Sequence, residues 1–183
     1  MPARQQPRFR RPWIGSRLLL VLLVAVVVRL LTAGFFSSAD QSPPEALAEG
    51  VYAVAWVADG DTFTLANGAR IRLQGIDTPE APRGSAPGEP LHAEATAFTR
   101  RFIAAAGGQV RLTFGVERID HYGRHLGFVW EGDVMLNEEL VRAGLAHARP
   151  DYRFAGKMKR RLMSAQDQAR KAGLGLWKGR TLP

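Results

Sequence analysis

Cysteine is absent from all 183 residues, which excludes disulfides and any thiolate metal site. Histidine is scarce and scattered, at positions 92, 121, 125 and 147. His121 and His125 flank a turn and a strand rather than sharing one helix face, so a zinc site is not expected. The nucleophile elbow Gly-x-Ser-x-Gly, the phosphate-cradling P-loop and the dinucleotide fingerprint are all missing. No internal repeat is present. Acidic residues are absent from positions 1–39, where six arginines stand unopposed.

That local imbalance accounts for most of the formal net charge of +8. Residues 40–183 carry 19 basic and 17 acidic side chains. Within them the charge is polarised: residues 40–148 hold 9 basic and 15 acidic side chains, and residues 149–183 hold 10 basic and 2 acidic. The basic C-terminal stretch fits a solvated helix face as well as a phosphate-steering patch.

The N-terminus has the form of a targeting segment. Arg4, Arg8, Arg10, Arg11 and Arg17 precede an apolar run, Leu18–Phe36, of 19 residues interrupted by Arg29. As a helix this run would be about 28 Å long, close to the bilayer core. Arg29 can snorkel towards one end, and the arginine cluster stays on the cytoplasmic side. Ser37-Ser38-Ala39 offers small residues for cleavage before Asp40. Two outcomes stay open: a single-pass membrane anchor with the C-terminal domain outside the cytoplasm, or a secreted or periplasmic protein cleaved near Ala39. The expected organisation is a targeting segment at 1–39, a linker at 40–50, one domain at 51–178 and a tail at 179–183.

The domain opens with two-residue turn signals between apolar runs. Val51–Ala58 reads as a strand, Asp59-Gly60 as a turn, Asp61–Ala66 as a second strand, Asn67-Gly68 as a turn, and 69–76 as a third strand. The Pro/Gly-rich 81–90 segment reads as a loop. Leu91, Ala95, Phe98, Phe102 and Ala105 recur at helical spacing up to Gly107-Gly108. Strands are expected at Gln109–Glu117 and Arg124–Glu131, with a turn at Arg118–Gly123. Asn137 can cap a short helix over 138–143, closed by Gly144. Met158, Leu162, Ala165, Ala169 and Ala172 stripe a last helix, and Trp177 is expected to anchor the tail on the core. Three strands, a helix, two strands and two further helices form the order of an OB-fold: an α+β, five-stranded β-barrel with three helices, preceded by one apolar N-terminal helix. Another α+β sandwich fits the same pattern.

The chemistry concentrates in Arg70–Glu80. Ile71 and Leu73 share one strand face and Arg72 takes the other. Thr78 precedes Pro79 and is held extended, so the turn places Asp77 and Glu80 just past a strand arginine. Asp61 begins the second strand and can converge with Asp77 if the meander curls. Two carboxylates with carbonyl and water oxygens suit a hard cation, calcium or magnesium. Asp59 reads as an ordinary turn residue. Glu80 can orient or deprotonate a water. Arg72 and Arg124 lie on half-buried strands and need an anion, either a structural carboxylate or a phosphate. Tyr122 and Tyr152 can stack on a base or bury ordinary surface.

Five fragments occur in register: Asp59-Gly60-Asp61-Thr62; Arg72-x4-Asp77-Thr78-Pro79-Glu80; Asp120-x-Tyr122-Gly123-Arg124; Asn137-Glu138-x-Leu140-Val141-x-x-Gly144-Leu145-Ala146; and Gly175-Leu176-Trp177. In order and spacing they resemble the staphylococcal nuclease (thermonuclease) family over roughly residues 51–178. The resemblance implies a Ca2+-dependent endonuclease acting on DNA and RNA, single strands favoured, as a monomer, by in-line water attack at phosphorus. It implies cleavage of the P–O5′ bond, leaving 3′-phosphates. It assigns Asp61, Asp77 and the Thr78 carbonyl to the metal and Arg72 and Arg124 to the phosphate. Glu80 falls to the attacking water, and Tyr122 and Tyr152 to the nucleotide. Two departures stand out: Pro150 replaces an aromatic of the family's base pocket, and the 81–90 loop lacks its lysines. A non-catalytic OB module that binds nucleic acid, or a membrane-anchored scaffold, is the alternative class.

Overall fold

The computed structural model describes residues 46–82 and 84–179. The expected targeting helix at Leu18–Phe36 lies outside the described residues. Among the described residues no helix is long and apolar enough to cross a membrane.

The meander forms as the turn signals indicate. Strand β1 (Gly50–Val57) pairs antiparallel with β2 (Thr62–Leu65), and β2 with β3 (Arg70–Leu73). The register of β1 with β2 shifts between Val54 and Trp56, a bulge that sharpens the strand's bend. Asn67 accepts the Ala69 amide through Oδ1 at 3.1 Å, and Gly68 takes φ 86°, a left-handed conformation that glycine adopts without penalty.

Chain reversal at Gln74-Gly75 ends β3 earlier than the expected boundary of 76. Gly75 has φ 79°, and a Cβ there would lie 2.6 Å from the Phe154 ring. Ile76–Asp77 therefore leaves the barrel as a separate two-residue strand, β4, which pairs with β8 (His147–Ala148). Helix α1 (His92–Ala105) follows the loop. Its deepest residues are Ala95, Thr99 and Ile103, with Leu91, Phe98 and Phe102 packed on the core's margin. The buried stripe is thus turned by about one position from that expected, because Thr99 donates to the Gly60 carbonyl at 2.6 Å and this bond draws its face inward.

Strand β5 (Gln109–Ile119) runs two residues beyond its expected end and pairs with β1 and with β6 (His125–Glu131). β6 then meets β3 in parallel and closes the barrel, in the order β3-β2-β1-β5-β6. The short β7 (Val134–Met135) extends β6. Phe63, Leu65, Ile71, Leu73, Val110, Leu112 and Val129 fill the interior at 1 % exposure or less.

Helix α2 (Leu136–Arg142) starts before Asn137, which is therefore not its cap. The buried Asn137 side chain instead accepts the Val129 amide (3.0 Å) and donates to the carbonyls of Gln74 (3.0 Å) and Gly127 (3.2 Å). It ties the end of β3 to β6. Helix α3 (Gly156–Lys171) buries Leu162, Ala165, Gln166 and Ala169. Between the two helices the buried Glu138 pairs with Arg142 and Arg161. Trp177 is buried at the end of the chain and packs edge-on against His147, with ring centroids 5.0 Å apart.

Candidate active site

The site sits where the meander's turns, the end of β3 and the β5–β6 turn meet. Asp61 lies between the Asp59-Gly60 turn and β2 and is 1 % exposed. A buried carboxylate needs partners, and four groups supply them. The Thr78 amide and hydroxyl both donate to Oδ2 at 2.9 Å, the Thr62 hydroxyl donates to Oδ1 at 3.1 Å, and the Arg72 guanidinium pairs with Oδ1. The bonds from Thr78 fasten the turn before Pro79 to the start of β2, across the barrel's end.

Arg72 is the hub. Antiparallel pairing sets it opposite Thr62. Its guanidinium bridges Asp61 and Asp77, with Nη2 2.5 Å from Asp77 Oδ1. Asp77, on β4, is less enclosed; its other oxygen accepts Arg149 Nη1 at 3.2 Å. Asp61 and Asp77 thus converge, as the curled meander requires. Among the described residues no group of three acidic or histidine side chains forms a metal cluster. The carboxylate pair and the backbone beside it are the hard-oxygen donors present.

Arg124 follows the β5–β6 turn and is oriented by Asp120. Asp120 Oδ1 accepts the amides of Tyr122 (2.9 Å) and Arg124 (3.0 Å), and Oδ2 accepts Arg124 Nε at 2.7 Å. Burial raises the Asp120 pKa, but the bonds from Arg124 and the Tyr122 amide together outweigh it and hold the group below its ordinary value. The guanidinium packs over the Tyr122 ring, 5.2 Å from its centroid. The neighbouring His125 is buried; burial first, and then Arg118, lower its pKa, so it adds no second charge beside Arg124.

Arg72, Arg124 and Tyr152 line one pocket of about 230 Å³, with Leu73 and Leu126 as apolar wall and Asp120 and His121 at its rim. Tyr122 stands outside that lining, 67 % exposed and 3.8 Å from the His121 ring. Asp77 and Thr78 line a separate cleft with Glu89 and Leu91. Glu80 is exposed, one residue beyond the buried Pro79.

Four residues of this region were given no site role from the sequence. Asp120 carries a readable signal, an aspartate four positions before an arginine across Tyr-Gly. Arg149 does not: it stacks under Tyr152 at 4.7 Å, is gripped by Asp151, and reaches Asp77 from far along the chain. Glu89 gave only loop composition. Asp59, taken as a turn residue, does accept the Asp61 amide at 3.1 Å. It also lies close enough to Arg72 and Arg124 for both to lower its pKa, although burial is the larger effect and the net shift is upward.

Comparison with known proteins agrees with this geometry. The family described as Staphylococcal nuclease homologue matches residues 70–179. The thermonuclease of Staphylococcus hyicus is 34% identical over 170 residues, covering 89% of this chain and 95% of that protein. The thermonuclease of Staphylococcus intermedius is 37% identical over 129 residues, covering 69% and 75% respectively. A probable endonuclease of Komagataella phaffii is 32% identical over 114 residues, covering 58% of this chain and 48% of that protein.

Proposed function

From the premise that this chain belongs to the staphylococcal nuclease family, we propose that it is a calcium-dependent endonuclease hydrolysing phosphodiester bonds of DNA and RNA. One observation carries the proposal: Arg72 both lines the pocket shared with Arg124 and Tyr152 and binds the two convergent carboxylates. Phosphate recognition and cation-binding oxygens therefore share a side chain.

The residues divide the work by chemistry. The apolar wall of Leu73 and Leu126 and the Tyr152 ring accept a base and sugar. Arg72 and Arg124 face the phosphate, and planar guanidinium forks match its oxygens. Asp120 holds Arg124 in place before substrate arrives, so little reorientation is needed as charge develops at phosphorus. Glu80 takes a proton from the attacking water, whose oxygen bonds to phosphorus as the P–O bond to the leaving group breaks, and the departing alkoxide takes a proton from solvent to leave as the alcohol.

Asp61 and Asp77, with the Thr78 carbonyl, would hold the cation. They fit it in donor chemistry: hard oxygens, two of them carboxylate, already drawn together around one positive group. When bound, a calcium ion supplies Lewis-acid polarisation and charge neutralisation at the phosphate.

We further propose that the domain works outside the cytoplasm. The arginine cluster and apolar run of residues 4–36 support this placement.

The test is digestion of a single-stranded DNA oligonucleotide by the full chain. Cleavage in millimolar calcium and its loss in EGTA is the expected result. Full activity in chelator overturns the metal assignment. Binding without cleavage in calcium indicates the non-catalytic OB module instead.

A further inference from the structure

The Glu80 turn is fastened on both sides, and the fastener on its C-terminal side is Glu89. Upstream, Thr78 is bound to Asp61 by its amide and hydroxyl, and Pro79 is buried with a fixed φ. Downstream the chain leaves the site through the Pro/Gly-rich loop, whose described residues form no helix and only an isolated bridge at Ala86. Glu89 closes that loop back onto Glu80 by two bonds. Its amide donates to the Glu80 carbonyl at 2.8 Å, and its carboxylate Oε2 accepts the Glu80 amide at 3.0 Å. The pair forms a ring that fixes both peptide groups flanking the Glu80 Cα.

Glu89 is itself anchored to the helix that follows. Its carbonyl accepts the His92 ring at Nδ1 (2.8 Å) and the His92 amide (3.3 Å). A Cβ on Gly88 would lie 2.9 Å from that ring and 2.7 Å from Pro82, so the loop's closing end packs against its opening end. Leu91, at φ 71°, is the only non-glycine among the described residues in the left-handed region, a strained conformation that the surrounding contacts must hold. The Glu89 residue also lines the same cleft as Asp77 and Thr78.

We propose that Glu89 is a positioning residue, whose carboxylate clips the Glu80 backbone and so fixes the direction in which the Glu80 side chain leaves it. The proposal rests on the role of Glu80 given above. Glu89 acts as a hydrogen-bond acceptor and not through its charge, so a glutamine, which keeps an acceptor oxygen, replaces it. An alanine does not.

Glu89→Ala and Glu89→Gln in the full chain separate these roles. With single-stranded DNA in calcium, Glu89→Ala should lower kcat by about tenfold to about a hundredfold, the scale of a displaced catalytic group. KM should stay within about twofold, because the pocket of Arg72, Arg124 and Tyr152 is untouched. Glu89→Gln should keep most of the activity. Hydrogen exchange of the Glu80 amide, read without substrate, should accelerate in the alanine variant and stay slow in the glutamine variant. Wild-type kcat in Glu89→Ala overturns the proposal, and so does equal damage from both substitutions, which would mean a charge or metal role. A wild-type rate in Glu80→Gln removes the role of Glu80 and the positioning role with it. In that case slow exchange at Glu80 still shows that the clip exists, which separates that failure from failure of the clip itself.

Discussion

Asp59 shows how far a turn residue's environment exceeds its local role. Its carboxylate accepts the Asp61 amide, as a turn aspartate should. Folding also moves it partly out of water, and burial raises its pKa more than Arg72 and its other partners lower it. A carboxyl whose pKa is raised on folding weakens the folded state wherever it is ionised. The cost is full above the folded-state pKa and vanishes below the unfolded one. Asp59→Asn keeps the acceptor oxygen and removes the charge. It should raise the thermal unfolding midpoint at pH 7 in chelator, and the gain should disappear below about pH 4, the ordinary carboxylate range. An unchanged or lowered midpoint at pH 7 would contradict this. The same residue marks the limit of sequence reading. The places of Arg72, Asp77 and Thr78 were legible from strand alternation and a stiff Thr-Pro step, whereas Asp61 and the Thr78 carbonyl were singled out by the family resemblance. Asp59 gave its turn role but not its exposure to two arginines, which depends on barrel closure. Arg149 gave nothing, since its approach to Asp77 depends on a pairing between segments far apart in sequence.

The most consequential element boundary is the break after β3. Alternation carried the strand to residue 76, and nothing local shows that Gly75 turns left-handed against the Phe154 ring. Asn137 belongs to the same junction. Its place just ahead of a short helix suggested a cap, whereas its side chain bonds Val129, Gln74 and Gly127. Its loss would strand the Val129 amide and remove the bond to the Gln74 carbonyl, while the Gly127 carbonyl keeps the Gln74 amide at 2.9 Å; each stranded buried group costs about 1–3 kcal/mol. Asn137→Ala should therefore destabilise the full chain by about 2 kcal/mol or more in urea unfolding. An Asn137→Ala protein within about 0.5 kcal/mol of wild type would mean that water replaces the side chain. The helices were legible in place and length, and less so in phase. A polar Thr99 bonded to Gly60 turns α1 in a way that apolar periodicity does not register.

At the scale of the molecule, the order of strands and helices in the five-stranded barrel followed from turn spacing, which leaves few topologies but also fits another α+β sandwich. The barrel's closure did not, since the parallel contact of β3 with β6 has no local signal. The charge is divided along the chain rather than spread over it: acid-rich through residue 148, base-rich beyond, with a separate cationic block at 1–39. Only that first block bears on location. Intact mass of the exported protein should show either residue 1 retained, for an anchor, or Asp40 as the first residue, for a cleaved leader. Recovery solely from the cytoplasm would refute both.

The pairing of Ile76–Asp77 with His147–Ala148 also sets a schedule for synthesis. By residue 124 the growing chain already contains Asp61, Arg72, Asp77, Glu80 and Arg124. Asp77 then has Arg72 as a partner but lacks β8 and Arg149, and the pocket lacks Tyr152, because these have not been made. A chain cut short there carries these side chains without the strand that pairs with Ile76–Asp77, so the arrangement around Asp77 forms only after residues 147–152 are made.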